Sequence, residues 1–338
     1  MKNFMRLSLM LAIFISIVLV GSLSETMAAK KISIKFTTIQ MPNQQMGKAA
    51  LKITKMVNSQ LGDRVVMRVY PSAQLYRGKE EIEALMRGEI EMSFVIGSRL
   101  ETMDPSLQCF KLPFLFENVD VAYKVLDGPM GKELFKKLPP RNLQFLGLVN
   151  SGNVVFSNAK RPLRLPEDFK GLKMRSYGRM GKDTAAGLGA TAVVTASSET
   201  FSALQQGVID GVMTPNSVYL KRKYDTIQKY VTDGGTVNFT NTALLANLKF
   251  WNGLPDDLRS KLKAIIDSVN DDMRTEMKAE NEQIFNDIKA AGNEVHHLTP
   301  EETAAWGKAL QPLFVKYGPE IGESLIENLQ KEIAKFSR

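Results

Sequence analysis

Two stretches of the chain resemble each other, and this weak internal repeat constrains the fold more than any other feature. They read EEIEALMRGEIEM and SETFSALQQGVIDGV, and they match at an offset of 119 residues. The matched pairs are Glu80 and Glu199, Ala84 and Ala203, Leu85 and Leu204, Gly88 and Gly207, Ile90 and Ile209, and Glu91 and Asp210. In each copy a helical pattern ends at a glycine, which suits the left-handed turn that closes a helix, and an apolar strand follows. Helix–glycine–strand units are common, so chance similarity is the alternative, but we expect two related lobes.

Strand and helix patterns alternate along the N-terminal part of the chain. Apolar residues at every second position indicate strands, and apolar residues at helical spacing indicate helices. The predicted elements are strand 32–36, a helix around 46–57 that ends at Gly62, strand 65–69, helix 79–87 ending at Gly88, and strand 92–96. Such alternation is typical of the α/β class. With 44% hydrophobic residues, the chain is long enough for two packed domains.

One long amphipathic segment, from Pro255 to Ala291, lies near the C-terminus. Proline suits the first helical position, and Asp256 and Asp257 suit the positive end of the helix dipole. An unbroken helix here would be about 55 Å long at ~1.5 Å per residue. We expect it to brace two lobes; coiled-coil dimerisation is the second interpretation, and a monomer is the expected state.

The N-terminus carries Lys2 and Arg6, then an apolar run over residues 7–23, then small residues at Thr26 and Ala28. This pattern predicts a secretory signal peptide over residues 1–28, with cleavage near Ala28. A membrane anchor is the alternative, although the run is near the ~18-residue lower limit for a membrane span. The remaining chain is expected to be soluble and exported.

The net charge of +8 raises the question of nucleic-acid binding. The basic residues are interleaved with acidic ones, no dense basic or aromatic-basic cluster occurs, and export argues against this class of partner. A modest positive field that attracts small anions is the better interpretation.

Residues that commonly carry catalysis are scarce. Cys109 is the one cysteine, so no intramolecular disulfide forms, and its apolar neighbours predict a place in the core. The two histidines, His296 and His297, are adjacent in an expected loop, where neither is placed as a triad base or a zinc ligand. Glycine-rich phosphate and dinucleotide motifs are absent, so no catalytic residue, metal or cofactor is predicted.

The block GLKMRSYGRMG, from Gly171 to Gly181, contains the leading candidate for ligand binding. Leu172 and Met174 alternate with polar residues as a strand that is expected to end at Arg175. The carboxyl ends of strands in α/β folds face the ligand crevice. A guanidinium there matches a carboxylate with two parallel hydrogen bonds, whereas an ordinary surface arginine is the alternative.

Several motifs in order resemble the solute-binding proteins of TRAP (tripartite ATP-independent periplasmic) transporters, DctP-type family, over nearly the whole mature chain. They are YPSAQLYRGKEEIEALMRGEIEMSFV, QCFKLPFLF, LPEDFKGLKMRSYGRMGKDTAAGLGATAV, SSETFSALQQGVIDGVMTP, YDTIQKYV and NLKFWNGLPDDLRSKL. The resemblance implies a two-lobed periplasmic-binding-protein fold of the α/β class, with crossing hinge strands and a long helix spanning both lobes. It implies lobe I over 29–151 and 241–279, and lobe II over 152–240 and 280–338.

The resemblance also implies a function. Such proteins close around a small organic acid in the periplasm and deliver it to a cation-coupled permease of a small and a large membrane subunit. The family's carboxylate-binding arginine corresponds to Arg175. Arg99 and Ser197 match positions that line the pocket, and Thr214 stands where such proteins often have asparagine.

The expected pocket differs from that of relatives that bind sugar acids. A second arginine that they carry in the preceding strand is replaced here by Val154 or Val155, Ile39 and Ile96 replace polar side chains, and Gly178 replaces a side chain near the arginine. An unmatched buried polar group costs ~1–3 kcal/mol, so a smaller or more apolar carboxylate is expected. A dicarboxylate requires Arg99 or another donor for its second charge.

Four further polar residues are expected near the ligand, and each has a turn-capping role as its alternative. They are Gln40, Asn153, Asn216 and Asn241. For the whole chain, a secreted hydrolase and a non-transport envelope protein are the alternative functions.

Overall fold

A computed structural model describes residues 31–195 and 199–337. The predicted signal peptide and Ser197 lie outside the described residues. The described chain forms two mixed sheets flanked by helices, which places it in the α/β class as predicted.

The strands are β1 Ile32–Thr38, β2 Val65–Tyr70, β3 Met92–Ile96, β4 Leu143–Asn150, β5 Val154–Asn158, β6 Lys173–Ser176, β7 Thr191–Val194, β8 Gly211–Pro215, β9 Tyr230–Asp233, β10 Asn241–Asn247 and β11 Glu294–His297. The helices are α1 Gln45–Gln60, α2 Lys79–Arg87, α3 Gly97–Leu100, α4 Val119–Asp127, α5 Pro129–Phe135, α6 Gly178–Gly187, α7 Thr200–Gln205, α8 Asn216–Lys221, α9 Leu248–Asn252, α10 Asp256–Ala290, α11 Pro300–Leu310, α12 Pro312–Ile321 and α13 Glu323–Ala334.

The two sheets share one topology. The first has the order β2-β1-β3-β10-β4, and the second has β7-β6-β8-β5-β9 followed by β11. In each sheet the first three strands run parallel to one another. The fourth strand pairs antiparallel with the third and with the fifth. Both repeat copies end a helix near a left-handed glycine, with φ of 79° at Gly88 and 69° at Gly207, before a central strand. The expected relationship between two lobes is confirmed.

Two crossings of the chain join the sheets. Residues 151–153 connect β4 to β5, and residues 234–240 connect β9 to β10. The crossings bind each other, because the Ser151 amide donates to the Thr240 carbonyl at 2.9 Å and the Thr240 hydroxyl donates to the Gly152 carbonyl. This pair of short segments forms the hinge.

The long helix α10 runs along both sheets. It contacts α1 and β4 on one side of the hinge and α8 and β11 on the other. Its buried stripe includes Leu262, Ile266 and Val269, as the apolar periodicity predicted. The brace between lobes is therefore observed.

The histidines lie in a strand rather than in the expected loop, so that prediction was wrong. His296 and His297 form the end of β11, which pairs parallel with β9 in the register His296 to Thr232. The sequence EVHH has no apolar alternation, and the strand exists because a neighbouring edge is available to pair with it. Local patterns carry no signal for such a strand.

Cys109 is fully buried, as predicted, and burial raises the pKa of its thiol. Within residues 31–195 and 199–337, no helix combines the length and apolar character that crossing a bilayer requires.

Candidate functional site

The site is built where parallel strands end on each side of the hinge. Arg175 lies in β6, which continues one residue beyond the end predicted from sequence. It pairs in register with Val193 of β7 and Val212 of β8, so apolar strands flank it on both sides. Its side chain is half-buried at the carboxyl end of the sheet, where α/β folds bind ligands.

Within the described residues, the Arg175 guanidinium makes no hydrogen bond or ion pair. Its Nε atom is buried without a hydrogen-bond partner, and its Cζ atom lies 5.8 Å from the centre of the Tyr177 ring. Most buried polar atoms in proteins are paired, so this cationic donor remains available to bind an anion.

Arg99 has the same character in the other lobe. It lies in α3, directly after β3, and its half-buried side chain makes no hydrogen bond or ion pair with any residue that the structure describes. The guanidinium lies over Gly78, since a Cβ atom there would be 3.0 Å from Nη2 of Arg99. Among the arginines of the described chain, only Arg99 and Arg175 combine partial burial with a guanidinium that lacks any such bond.

The contrast with other arginines is direct. Arg274 is also half-buried, but it forms two hydrogen bonds with Asp127 at 2.6 and 2.8 Å and others with the Leu148 carbonyl. Arg64 pairs with Asp257. Among the described residues, the other half-buried arginines thus bind protein groups, and one half-buried arginine on each side of the hinge makes no such bond.

A buried carboxyl lies close to Arg99. Glu81 of α2 is 4% exposed, and one of its oxygens has no hydrogen-bond partner. Burial raises the pKa of Glu81, and the hydroxyls of Ser93 and Thr37 and the charge of Arg99 offset only part of that effect.

Three of the predicted polar residues make hydrogen bonds inside the protein. The Gln40 side-chain oxygen accepts from the Met46 amide at 3.1 Å, near the start of α1. The Asn153 side chain donates to Asp233 at 2.9 Å. Asn216 donates to Oδ1 of Asn281 at 2.6 Å. Gln40 and Asn216 line one polar cavity of about 180 Å³ beside the hinge.

The remaining predicted residues lie at strand ends. Thr214 is buried in β8, opposite Val155 of β5. Asn241 begins β10; its side-chain Nδ2 donates to the Phe239 carbonyl at 3.1 Å, and its side-chain oxygen is buried without a partner among the described residues. Their contact with a ligand stays a prediction.

Asn281 of α10 was not anticipated from sequence. Its Oδ1 atom accepts from the Asn216 side chain at 2.6 Å and from the Asn153 amide at 3.1 Å. It thereby ties the long helix to the hinge and to the second sheet. It lies in the polar stretch ENEQ, where nothing local distinguishes it from its exposed neighbours.

The histidines bind acidic side chains. Nε2 of His296 lies 2.6 Å from Oε2 of Glu302, and Nδ1 of His297 lies 3.1 Å from Oδ2 of Asp233. Over the described ranges 31–195 and 199–337, no group of three or more His, Cys, Asp or Glu side chains could hold a metal ion.

Two α/β lobes of equal topology, a hinge between them and an unpaired guanidinium on either side define a two-lobed solute-binding protein. The family model for bacterial extracellular solute-binding protein, family 7 (DctP), matches residues 36–319. The chain belongs to this family, and the predicted fold and family are confirmed. It is a solute receptor that acts outside the cytoplasm.

Relatives and solved structures agree over nearly the whole chain. The C4-dicarboxylate-binding periplasmic protein DctP of Rhodobacter capsulatus is 34% identical, covering 93% of this chain and 95% of the relative. A TRAP periplasmic solute-binding protein from Ochrobactrum anthropi, with its C-terminus bound in the ligand-binding pocket, has a TM-score of 0.86 at 27% identity, covering 90% of this chain and 96% of the other. One from Sulfurospirillum deleyianum with bound succinate has a TM-score of 0.74 at 32% identity, covering 89% and 98%.

Proposed function

We propose that this receptor binds a C4-dicarboxylate of the succinate type, with Arg175 on one carboxylate and Arg99 on the other. The observation that carries the proposal is the pair of half-buried guanidiniums, one on each side of the hinge, that make no hydrogen bond or ion pair over residues 31–195 and 199–337. Each is a planar fork that matches one carboxylate.

The apolar neighbourhood supports a diacid without many hydroxyl groups. Val154 and Val155 are fully buried in β5. Ile39 directly follows β1, Ile96 is the last residue of β3, and both are half-buried. A sugar acid would leave several hydroxyls unmatched here, at ~1–3 kcal/mol each. The relative from Rhodobacter capsulatus carries the name of a C4-dicarboxylate-binding protein, and the Sulfurospirillum deleyianum structure holds succinate, which agrees with this choice.

Closure of the lobes follows from the placement of the two arginines. A diacid that contacts Arg99 on one side of the hinge and Arg175 on the other gains both contacts only when the lobes approach. Binding then favours the closed population. We assign residues 29–151 and 241–279 to the first lobe, and 152–240 and 280–338 to the second.

The transport role completes the proposal. The chain is exported to the periplasm after cleavage near Ala28, acts as a monomer and delivers its ligand to the small and large subunits of a cation-coupled TRAP permease. Family membership supports this partnership. Co-purification of the closed, ligand-loaded receptor with the permease would test it.

Calorimetry with succinate and butyrate tests the ligand proposal. The two acids have equal chain length, and butyrate lacks the second charge. We expect the wild-type protein to bind succinate at least ~100-fold more tightly, since a charge-assisted hydrogen bond contributes ~1.5–3 kcal/mol and two are added.

The Arg99→Ala variant provides the decisive comparison. It should lose most of this preference and bind the two acids with similar affinity. If the Arg99→Ala protein keeps the full preference for succinate over butyrate, Arg99 does not bind the second carboxylate. A wild-type protein that binds neither acid would contradict the proposed function itself.

A further inference from the structure

We propose that the Tyr177 hydroxyl holds the same ligand carboxylate as Arg175, which makes Tyr177, the residue directly after β6, a second binding residue. This inference rests on the proposed function. It adds an uncharged hydrogen-bond donor to a site whose predicted residues are arginines, side-chain amides and small hydroxyls.

The strand places the two side chains on one side. Tyr177 follows the last residue of β6 with an extended backbone, φ −131° and ψ 139°. Successive side chains of an extended chain point to opposite faces, so Arg175 and Tyr177 share a side while Ser176 lies on the other. The burial pattern follows this alternation, because Met174 and Ser176 are buried whereas Arg175 and Tyr177 are half-buried. The Arg175 Cζ atom lies 5.8 Å from the ring centre of Tyr177.

Both side chains have an unpaired buried polar atom. The hydroxyl oxygen of Tyr177 and Nε of Arg175 are each shielded from solvent without a hydrogen-bond partner. A tyrosine hydroxyl in a protein interior usually finds a partner, and leaving it unpaired costs ~1–3 kcal/mol. Two such atoms on neighbouring side chains, one of them on the leading ligand-binding residue, indicate a common acceptor that binds between them.

The nearby charges favour an anion as that acceptor. Burial raises the pKa of Tyr177; the charge of Arg175 opposes that effect and the charge of Glu101 adds to it. The phenol therefore stays protonated and can donate to a carboxylate. Glu101 forms an ion pair with Lys111, which offsets part of its negative charge.

A purely structural role predicts different behaviour. If the hydroxyl stabilised the fold, it would donate to a protein acceptor, and no such bond is observed. Its removal should therefore leave the melting temperature of the free protein unchanged or slightly raised. A loss of affinity without a loss of stability would be specific to ligand contact.

The test compares Tyr177→Phe with Tyr230→Phe. Tyr230 lies in β9, three strands from β6 in the second sheet, and its ring contacts Lys229. Calorimetry with succinate should show a loss of about 10- to 100-fold for Tyr177→Phe, as for a hydrogen bond to a charged group, and none for Tyr230→Phe. Butyrate should show the same ratio, because both acids present the carboxylate that Arg175 holds.

A spectroscopic measurement gives an independent readout. Succinate should change the near-ultraviolet tyrosine absorption of the wild-type protein, and this difference should be largely absent in Tyr177→Phe. Unchanged succinate affinity in Tyr177→Phe, with Arg175 still required, would overturn the inference and leave the proposed function intact. Equal losses of affinity and of free-protein stability would overturn it as well, because they would show a structural role.

Discussion

Oδ1 of Asn281 joins the long helix to the hinge, and replacing this residue by alanine should measurably destabilise the protein. The substitution removes the acceptor of the Asn216 side chain, which is fully buried, and of the Asn153 amide. Two donors then lose their partner at ~1–3 kcal/mol each.

The adjoining cavity reduces this cost. It has a volume of about 180 Å³ and polar walls, so a water molecule can enter and accept one of the two bonds. We therefore expect a loss near the lower end, about 2 kcal/mol. At ~2–4 °C per kcal/mol, the melting temperature should fall by about 4–8 °C.

The assay is thermal unfolding of the ligand-free protein, followed by circular dichroism. Asn286→Ala is the matched control, because Asn286 is an exposed asparagine of the same helix and should change the melting temperature little. Asn281→Asp, which keeps the accepting oxygen, should recover most of the loss. Equal melting temperatures for Asn281→Ala and Asn286→Ala would refute the assigned role of this atom.

Two further predictions concern stability. Gly97→Ala should destabilise the protein by ~1–3 kcal/mol, because the added Cβ would lie within 2.8 Å of the side-chain Nδ2 of the buried Asn241. Gly307→Ala is the control, because a Cβ there has no neighbour within 4 Å, and it should be neutral or stabilising. Thermal unfolding compares the two. Burial raises the pKa of Glu302, but hydrogen bonds from the Thr299 backbone and a histidine ring outweigh it and lower the pKa overall. A carboxyl whose pKa is lower in the folded than in the unfolded protein stabilises the fold at pH values above its unfolded pKa of ~4.3. Glu302→Gln should therefore be less stable than wild type at pH 7. The difference between their free energies of unfolding in urea should shrink as the pH falls below ~4.3. A difference that grows towards acid pH would contradict this assignment.

The sequence was informative where local chemistry determines structure. Apolar alternation, glycine at helix ends and the repeat around Gly88 and Gly207 predicted the α/β class and two related lobes, and the shared sheet topology confirms them. Each of these signals depends on residues within a few positions of one another. The strand at His296 and His297 depends instead on a distant partner, β9, and sequence reasoning missed it.

The site was only partly predictable for the same reason. The sequence shows an arginine at the end of a strand, whereas its lack of a hydrogen-bond partner depends on the tertiary structure. Gln40, Asn153 and Asn216 are polar residues in the right segments, but only the fold shows that their hydrogen bonds go to α1, Asp233 and Asn281. Tyr177 was not anticipated from sequence, because the lack of a hydrogen-bond partner for its buried hydroxyl depends on the tertiary structure.

The central claim is that Arg175 binds the carboxylate of the ligand, and calorimetric titration of Arg175→Ala with succinate tests it most directly. Arg222→Ala is the control, since it removes the same charge from an exposed position in the second lobe. We predict that Arg175→Ala loses detectable binding, that Arg222→Ala keeps wild-type affinity, and that both retain the wild-type melting temperature without ligand. Binding of succinate by Arg175→Ala with wild-type affinity would contradict the account.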